Sequence, residues 1–404
     1  MKNFKLVTFL GIRPDYIRMA KLIKLLDAGA KKNNYEHILV HSGQHYDPEL
    51  FGNFLKEFKI RKPDIDLGIG LSLKKNGKNN HATQLSLLSE RTFEMINKVK
   101  PDAILYLGDT NTVLSSVVVA RTGVPIVHIE AGGRSFDWRM PEEKNRVIVD
   151  HLSDALYSYL PRYRGLLLEE GIEDFRVQVI GNIIVDPVKD YKKEIEMSKI
   201  LEKNGLKKKN FILVTLHREE NISDKIILKR KLEDIAKFAN EKNMPVVFPL
   251  MPRTENSIKK FRLEKIINKK PFIILKPLGF FDFMKCEEEA RLIVSDSGTV
   301  QEEALILGTP CVIARRSTER PETIWNKSTV LEGFEGEGTL YKKMKIAWNL
   351  KTGWDRNILN PDGKSPSEKV YKDLIQKIKT GYFKKNRSFE QIKNKKSVRN
   401  AYGL

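Results

Sequence analysis

The sequence predicts an α/β protein of two Rossmann-like, doubly wound domains in tandem, facing a central cleft. Short apolar runs alternate with longer amphipathic stretches from the first residues onward, the pattern of parallel strands joined by crossover helices. That pattern stops at a polar, Lys-rich segment, residues 186–209, and restarts after it. A chain of 404 residues with 41% hydrophobic content is also too long for one ordinary core.

The pattern places the elements in order. In residues 1–185, Lys5–Leu10 reads as a strand, Pro14–Leu26 as a helix, and His37–His41 and Ala103–Leu107 as strands. Thr112–Arg121 follows as a helix, Pro125–Ile129 as a strand, residues 141–151 as a helix, Ala155–Leu160 as a strand, Arg162–Glu170 as a helix and Val177–Ile180 as a strand. In residues 186–362, Phe211–Thr215, Pro245–Leu250, Phe272–Leu275, Arg291–Val294 and Pro310–Ile313 read as strands, with helices at Ile226–Asn240 and Val300–Leu307. Residues 363–404 hold a helix, Ser367–Lys379, expected to return to the first domain, and a basic tail. Two such domains bind a ligand in the crevice outside the carboxyl ends of their strands.

Composition narrows the function. The formal charge is +20, but the 72 basic residues are scattered among 52 acidic ones as on solvated helix faces, and no nucleic-acid motif is present. The densest basic run, Lys377 through Lys384, Lys385, Arg387, Lys393, Lys395, Lys396 and Arg399, reads as a solvated terminus. No stretch has the length of a membrane span, and the N-terminal residues lack a signal peptide's apolar core. Cys286 and Cys311 stand in no ligand spacing and read as reduced core thiols.

Several residues carry chemistry. In Ser295-Asp296-Ser297-Gly298-Thr299-Val300-Gln301-Glu302-Glu303-Ala304 an apolar strand ends in a small-residue turn that opens a helix. Such a turn offers free amides and a positive helix end to a phosphate, and Ser297 and Gly298 allow close approach. Glu303, one turn in, is placed for ribose hydroxyls; a plain N-cap is the bland reading of the same turn. Leu10-Gly11-Ile12-Arg13-Pro14 is a second strand-to-helix turn, from which Arg13 reaches an anion or simply solvent, and it carries no dinucleotide or Walker glycine pattern. Asp109, Glu130 and Glu142 sit at strand ends or helix starts; each alone reads equally well as a cap or half an ion pair, but together they look like acid/base equipment. His217 and Arg218 end the second domain's first strand, suited to a diphosphate or leaving group. His41 and His45 lack a third metal ligand and read as a polar rim.

Taken together these motifs resemble the non-hydrolysing UDP-N-acetylglucosamine 2-epimerases. The likeness runs in order through Gly11–Pro14, Gly108–Thr112, His128–Gly132, Pro141–Arg146, His217–Glu220, Ser295–Ala304, Thr318-Glu319-Arg320-Pro321-Glu322 and Asp362–Lys364, covering about residues 4–375. It implies a glycosyltransferase-B type architecture. It also implies that Asp109, Glu130, Glu142 and His217 are catalytic, and that Arg13, Arg218, Ser297, Gly298, Glu303 and Arg320 bind the UDP-sugar. The implied reaction removes the C2 proton with anti elimination of UDP, then re-adds UDP after protonation on the other face. No cofactor and no metal are expected. The expected setting is a cytoplasmic homodimer that partners neither nucleic acid nor membrane.

Three departures bear on the substrate. The segment Ala131–Pro141 is shorter than in typical N-acetylglucosamine enzymes and looks more like branches acting on UDP-linked 6-deoxy or 2,3-diacetamido sugars, as does Lys276–Asp282. Met251 stands where a family histidine is usual, and of the glutamine pair linked to substrate activation only Gln44 remains. A glycosyltransferase shares the fold and the nucleotide turn, but not the three carboxylates with His217. A hydrolysing epimerase is the other alternative, against which the Gly11–Pro14 and Pro141–Arg146 motifs speak.

Overall fold

The computed structural model describes residues 3–43, 48–75, 80–333 and 338–384; Gln44, His45 and the basic tail beyond Lys384 lie outside the described residues. The chain divides into two compact units, one running to Asp186 and resuming at Lys364, the other spanning Pro187–Gly363.

In the first unit the described residues form seven parallel strands, β1 (Phe4–Leu10), β2 (Tyr35–His41), β3 (Ile65–Asp66), β4 (Ala103–Leu107), β5 (Ile126–Ala131), β6 (Ala155–Ser158) and β7 (Val177–Val179). Their spatial order is β3-β2-β1-β4-β5-β6-β7. The central strands are continuous apolar runs, as burial on both faces of a parallel sheet demands. All five residues of β4, Ala-Ile-Leu-Tyr-Leu, are buried. The winding reverses between β1 and β4, whose pairing sets Thr8 opposite Leu105. At such a reversal the loops leave in opposite directions and open a crevice at the carboxyl ends, where the turns Gly11–Pro14 and Gly108–Asp109 lie.

The second unit repeats the plan with β8 (Ile212–Thr215), β9 (Val246–Pro249), β10 (Phe272–Leu275), β11 (Leu292–Ser295), β12 (Cys311–Ile313) and β13 (Thr329–Leu331), in the order β10-β9-β8-β11-β12-β13, all parallel. Its reversal lies between β8 and β11, placing His217–Arg218 beside Asp296–Gly298.

Several elements differ from the sequence pattern. The polar segment 186–209 is no plain spacer but contains the short helices Val185–Asp190, Lys192–Glu196 and Ile200–Lys203. Its lysines conceal a spaced apolar set: Val188, Tyr191, Ile195, Ile200 and Leu201 are buried, and the Tyr191 ring packs 5.5 Å from Phe281. Between His41 and Ala103 the structure adds β3 and the helices Pro48–Glu57, Ile69–Lys75 and His81–Val99, the last capped by Asn80, whose side chain accepts the Thr83 amide at 2.9 Å. Thr112–Arg121 is a 3₁₀ turn, Asn111–Ser115, running into the helix Ser116–Thr122. In the second unit the helices Pro252–Phe261, Phe280–Glu289 and Thr339–Trp348 join those read from the sequence. Among the described residues no helix is long and apolar enough to cross a membrane.

The helix Pro366–Lys379 belongs to the first unit. The Ser367 amide donates to Asp186 at 2.8 Å, and the Tyr157 hydroxyl donates to Asp373 at 2.7 Å. Gly29 makes room for Tyr371, since a Cβ there would lie 2.0 Å from its hydroxyl. Val370 and Leu374 are fully buried beneath it. Leu374→Ala is expected to cost about 2–5 kcal/mol of first-unit stability, read by urea denaturation. An unchanged midpoint would show that this helix is not part of the cooperative core.

Candidate active site

The turn after β1 is held by Asp15, whose buried carboxylate accepts the Gly11 and Ile12 amides, each at 3.2 Å, and the Arg18 guanidinium at 3.0 Å. Arg18, one turn further along the helix Arg13–Gly29, also donates to Glu130. Glu130 lies at a bulge near the end of β5, with φ +76°, and accepts the Tyr159 hydroxyl at 3.3 Å. Gly108 permits this approach: a Cβ on it would lie 3.2 Å from both the Arg18 Nη2 and the Glu130 Oε2 atoms.

Asp109 follows Gly108 and rests on a different arginine. Arg146, almost fully buried on the helix Pro141–Leu152, donates to Asp109 at 2.5 Å and to Glu143 at 2.6 Å. Glu143 accepts the Ser135 amide, the Ser135 hydroxyl and the Phe136 amide, each at 2.9 Å, and so shapes the short segment between Glu130 and Glu142. Glu142 is half-buried in the first turn of the same helix. Asp109, in the turn after β4, and Glu130, near the end of the neighbouring β5, thus have separate guanidinium supports, while Arg13 lies half-buried, 5.6 Å over the Phe54 ring. His41 is buried in β2 with its Nδ1 3.2 Å from the Tyr16 hydroxyl.

In the second unit Asp296 organises the reversal. Fully buried, it accepts the His217 amide at 3.0 Å, the Arg218 amide at 2.9 Å and the Asn221 side-chain amide at 2.9 Å, with the His217 Nδ1 at 3.2 Å. The imidazole is therefore anchored on its Nδ1 side and 40% exposed. The Arg218 Nε donates to the Asp296 carbonyl at 3.1 Å. Ser297 and Gly298 begin the helix Gly298–Leu307 half-buried, and a Cβ on Gly298 would lie 2.7 Å from Glu319. Glu303 is buried on that helix opposite Glu287. Burial, then the charge and hydrogen bond of Glu303, push the Glu287 carboxyl well above its ordinary range. Arg320 is buried and paired with Glu302 at 2.5 Å.

Sequence reasoning did not single out Asp15, Arg18, Glu143, Arg146, Tyr159 or Asp296 as site residues. A signal for four of them exists: Asp15 with Arg18, and Glu143 with Arg146, are opposite charges three apart in the opening turns of helices that follow strand-end turns.

Two doubly wound parallel-sheet units, with carboxylates at one reversal and a small-residue helix start at the other, define a nucleotide-sugar enzyme of the glycosyltransferase-B fold class. More narrowly, the chain belongs to the UDP-N-acetylglucosamine 2-epimerase family, whose profile it matches over residues 27–362. It is 36% identical over 383 residues to the UDP-N-acetylglucosamine 2-epimerase of Methanococcus maripaludis, covering 92% of this chain and 98% of that one. It is 33% identical over 336 residues to the UDP-2,3-diacetamido-2,3-dideoxy-D-glucuronate 2-epimerase of Pseudomonas aeruginosa, covering 81% and 88%. The crystal structure of Methanocaldococcus jannaschii UDP-GlcNAc 2-epimerase in complex with UDP-GlcNAc and UDP superimposes with a TM-score of 0.83 at 34% identity, covering 92% of this chain and 100% of that one.

Burial pushes the Asp15 carboxyl from 3.8 up to about 6, against the charge of Arg18 and the Gly11 and Ile12 amides, which pull it down. The folded chain therefore keeps this proton at pH values where the unfolded chain has released it. Asp15 ionisation then removes stability as pH rises from about 4 to about 6 and nothing further above. In Asp15→Asn that component is absent, so the stability difference between wild type and variant should shift against wild type by on the order of 2–3 kcal/mol over this range, read by denaturation at each pH. A pH-independent difference would remove Asp15 from the titration.

Proposed function

We propose that this enzyme inverts C2 of UDP-N-acetylglucosamine, giving UDP-N-acetylmannosamine without net hydrolysis of the UDP linkage. One carboxylate takes the C2 proton while the C1–O bond breaks and UDP departs with the electron pair, leaving an enzyme-held 2-acetamidoglucal. A second group then protonates C2 from the opposite face as a UDP oxygen re-forms the bond to C1. Nothing is oxidised overall, and the reaction needs no redox partner.

The observation that carries this reading is the pair of carboxylates at the carboxyl ends of adjacent strands, Asp109 on Arg146 and Glu130 on Arg18, with Glu142 nearby in sequence on the helix that carries Arg146. Separate supports let two carboxylates hold different positions, which proton removal from one face and delivery to the other requires. For the nucleotide, the reading assigns Ser297 and Gly298 to the diphosphate, Glu303 to the ribose, and His217, Arg13, Arg218 and Arg320 to the departing UDP. A modified UDP-amino sugar is the second reading, supported by the short Ser135–Met140 segment that Glu143 ties down and by the likeness to the Pseudomonas aeruginosa enzyme.

The test is incubation with a panel of UDP-N-acetylamino sugars in heavy water, following C2 by NMR. Deuterium at C2 in a new epimer with the UDP linkage intact is the expected result; no exchange with any sugar would end the reading. Asp109→Asn and Glu142→Gln should each lower turnover by at least roughly a hundredfold with little change in UDP affinity. Near-normal rates in both would make these residues structural. Glu303→Ala should cost about 1.5–3 kcal/mol of UDP binding by calorimetry. Unchanged affinity would move the nucleotide elsewhere.

A further inference from the structure

Beneath the carboxylates of the first unit lies a side-chain network that the reaction itself does not use. His128, in the middle of β5, is fully buried. Its Nδ1 lies 2.7 Å from the Asp150 Oδ1, and its Nε2 lies 2.8 Å from the carbonyl oxygen of Gly108, the residue before Asp109. Asp150, also fully buried, stands on the helix Pro141–Leu152, which carries Glu142, Glu143 and Arg146. Its other oxygen accepts the Gly132 amide at 3.1 Å and Arg134 at 2.7 Å. Gly132 is two residues beyond Glu130.

One imidazole and one carboxylate therefore join the three segments that bear Asp109, Glu130 and Glu142. The segment around Glu130 needs such a hold. Glu130 and Gly132 have φ of +76° and +83°, and a Cβ on Gly132 would lie 2.3 Å from the Tyr163 carbonyl oxygen. Left-handed backbone at a residue other than glycine persists only where its surroundings over-determine it. Burial alone would raise the Asp150 carboxyl, but the hydrogen bond and charge of His128, with those of Arg134, hold it below its ordinary range. The Gly108 carbonyl can only accept, so the ring donates to it from Nε2.

We propose that His128, acting through Asp150 and the Gly108 carbonyl, is a positioning residue that fixes Asp109, Glu130 and Glu142 relative to one another for the transfer of the C2 proton. The inference rests on the C2 reading given above. Displacing the acid from the base by a fraction of an ångström should change how a proton is redelivered more than how the nucleotide is held.

The experiment follows His128→Gln and Asp150→Asn during turnover of the UDP-sugar in heavy water, recording kcat, KM and the ratio of C2 deuterium in recovered substrate to that in the epimer. Each substitution weakens the brace at one of its two members while keeping a polar side chain there. The expected result is a kcat at least roughly tenfold lower, a KM within about threefold of wild type, and a ratio shifted by about threefold or more. Loss of folded enzyme lowers kcat but leaves that ratio untouched. An unchanged ratio in folded variants overturns the proposal, whatever happens to kcat. Should neither variant fold, ¹⁵N NMR of the wild type decides: the brace requires a histidine Nε2–H protected from solvent exchange and coupled to the Gly108 carbonyl, and its absence overturns the proposal. A wild type that turns over no UDP-sugar would sink the C2 reading, while the NMR result would still judge the brace.

Discussion

Backbone amides freed at the carboxyl ends of parallel strands must find acceptors, and in this protein buried aspartates supply them. Asp15 takes the amides of Gly11 and Ile12, Asp150 takes that of Gly132, and Asp296 takes those of His217 and Arg218. Each turn carries or adjoins a side chain suited to chemistry, because a crevice opens where the sheet reverses its winding. A buried donor without a partner costs about 1–3 kcal/mol, so these turns could not hold their shape on local sequence alone. The aspartates convert flexible loop ends into fixed platforms.

A buried carboxylate creates a second demand, for positive charge. Arg18 answers Asp15 and Glu130 together, Arg134 answers Asp150, and Arg146 answers Glu143 and Asp109. Such pairs add little net stability over apolar packing, yet losing one member leaves a stranded charge and costs several kcal/mol. Their value here is geometric. A guanidinium shared by two carboxylates fixes the separation of both, and a carboxylate presented from a rigid pair loses little entropy when it meets a substrate.

The strands were legible in the sequence because continuous burial forces continuous apolar runs, and the central runs of both units lie within a residue or two of their observed limits. The helices His81–Val99 and Thr339–Trp348 were not, since half-exposed helices mix polar and apolar residues without a clean stripe. The segment 186–209 misled because lysines dominate its composition while the buried Val188, Tyr191, Ile195, Ile200 and Leu201 decide its packing. At the candidate site, residue type and position at a strand end are what draw attention to Asp109, Glu130 and His217. Position at a helix start marked Glu142 and left Glu143 unmarked. Only the structure shows Glu143 committed to Ser135, Phe136 and Arg146, because that distinction depends on which face of one helical turn meets the loop.

Glu130 shows why a carboxylate within a doubly covered strand requires a break in the rule that shapes everything around it. In β5 the register pairs Ile129 with Tyr157 and Ala131 with Ser158, so Glu130 is the extra residue of a bulge. In an unbroken strand of this doubly covered sheet, residue 130 would point into one packed apolar face or the other, where an ionised carboxylate would cost far more than the fold could recover. The bulge leaves Ile129 and Ala131 both fully buried and turns the intervening carboxylate toward Arg18 and Tyr159. Its backbone strain is the consequence, met two residues on by the Gly132 amide bonded to Asp150. The candidate carboxylate of β5 is thus also the side chain whose placement the sheet resists most, and the buried network that ties down Gly132 supplies a hold against that resistance.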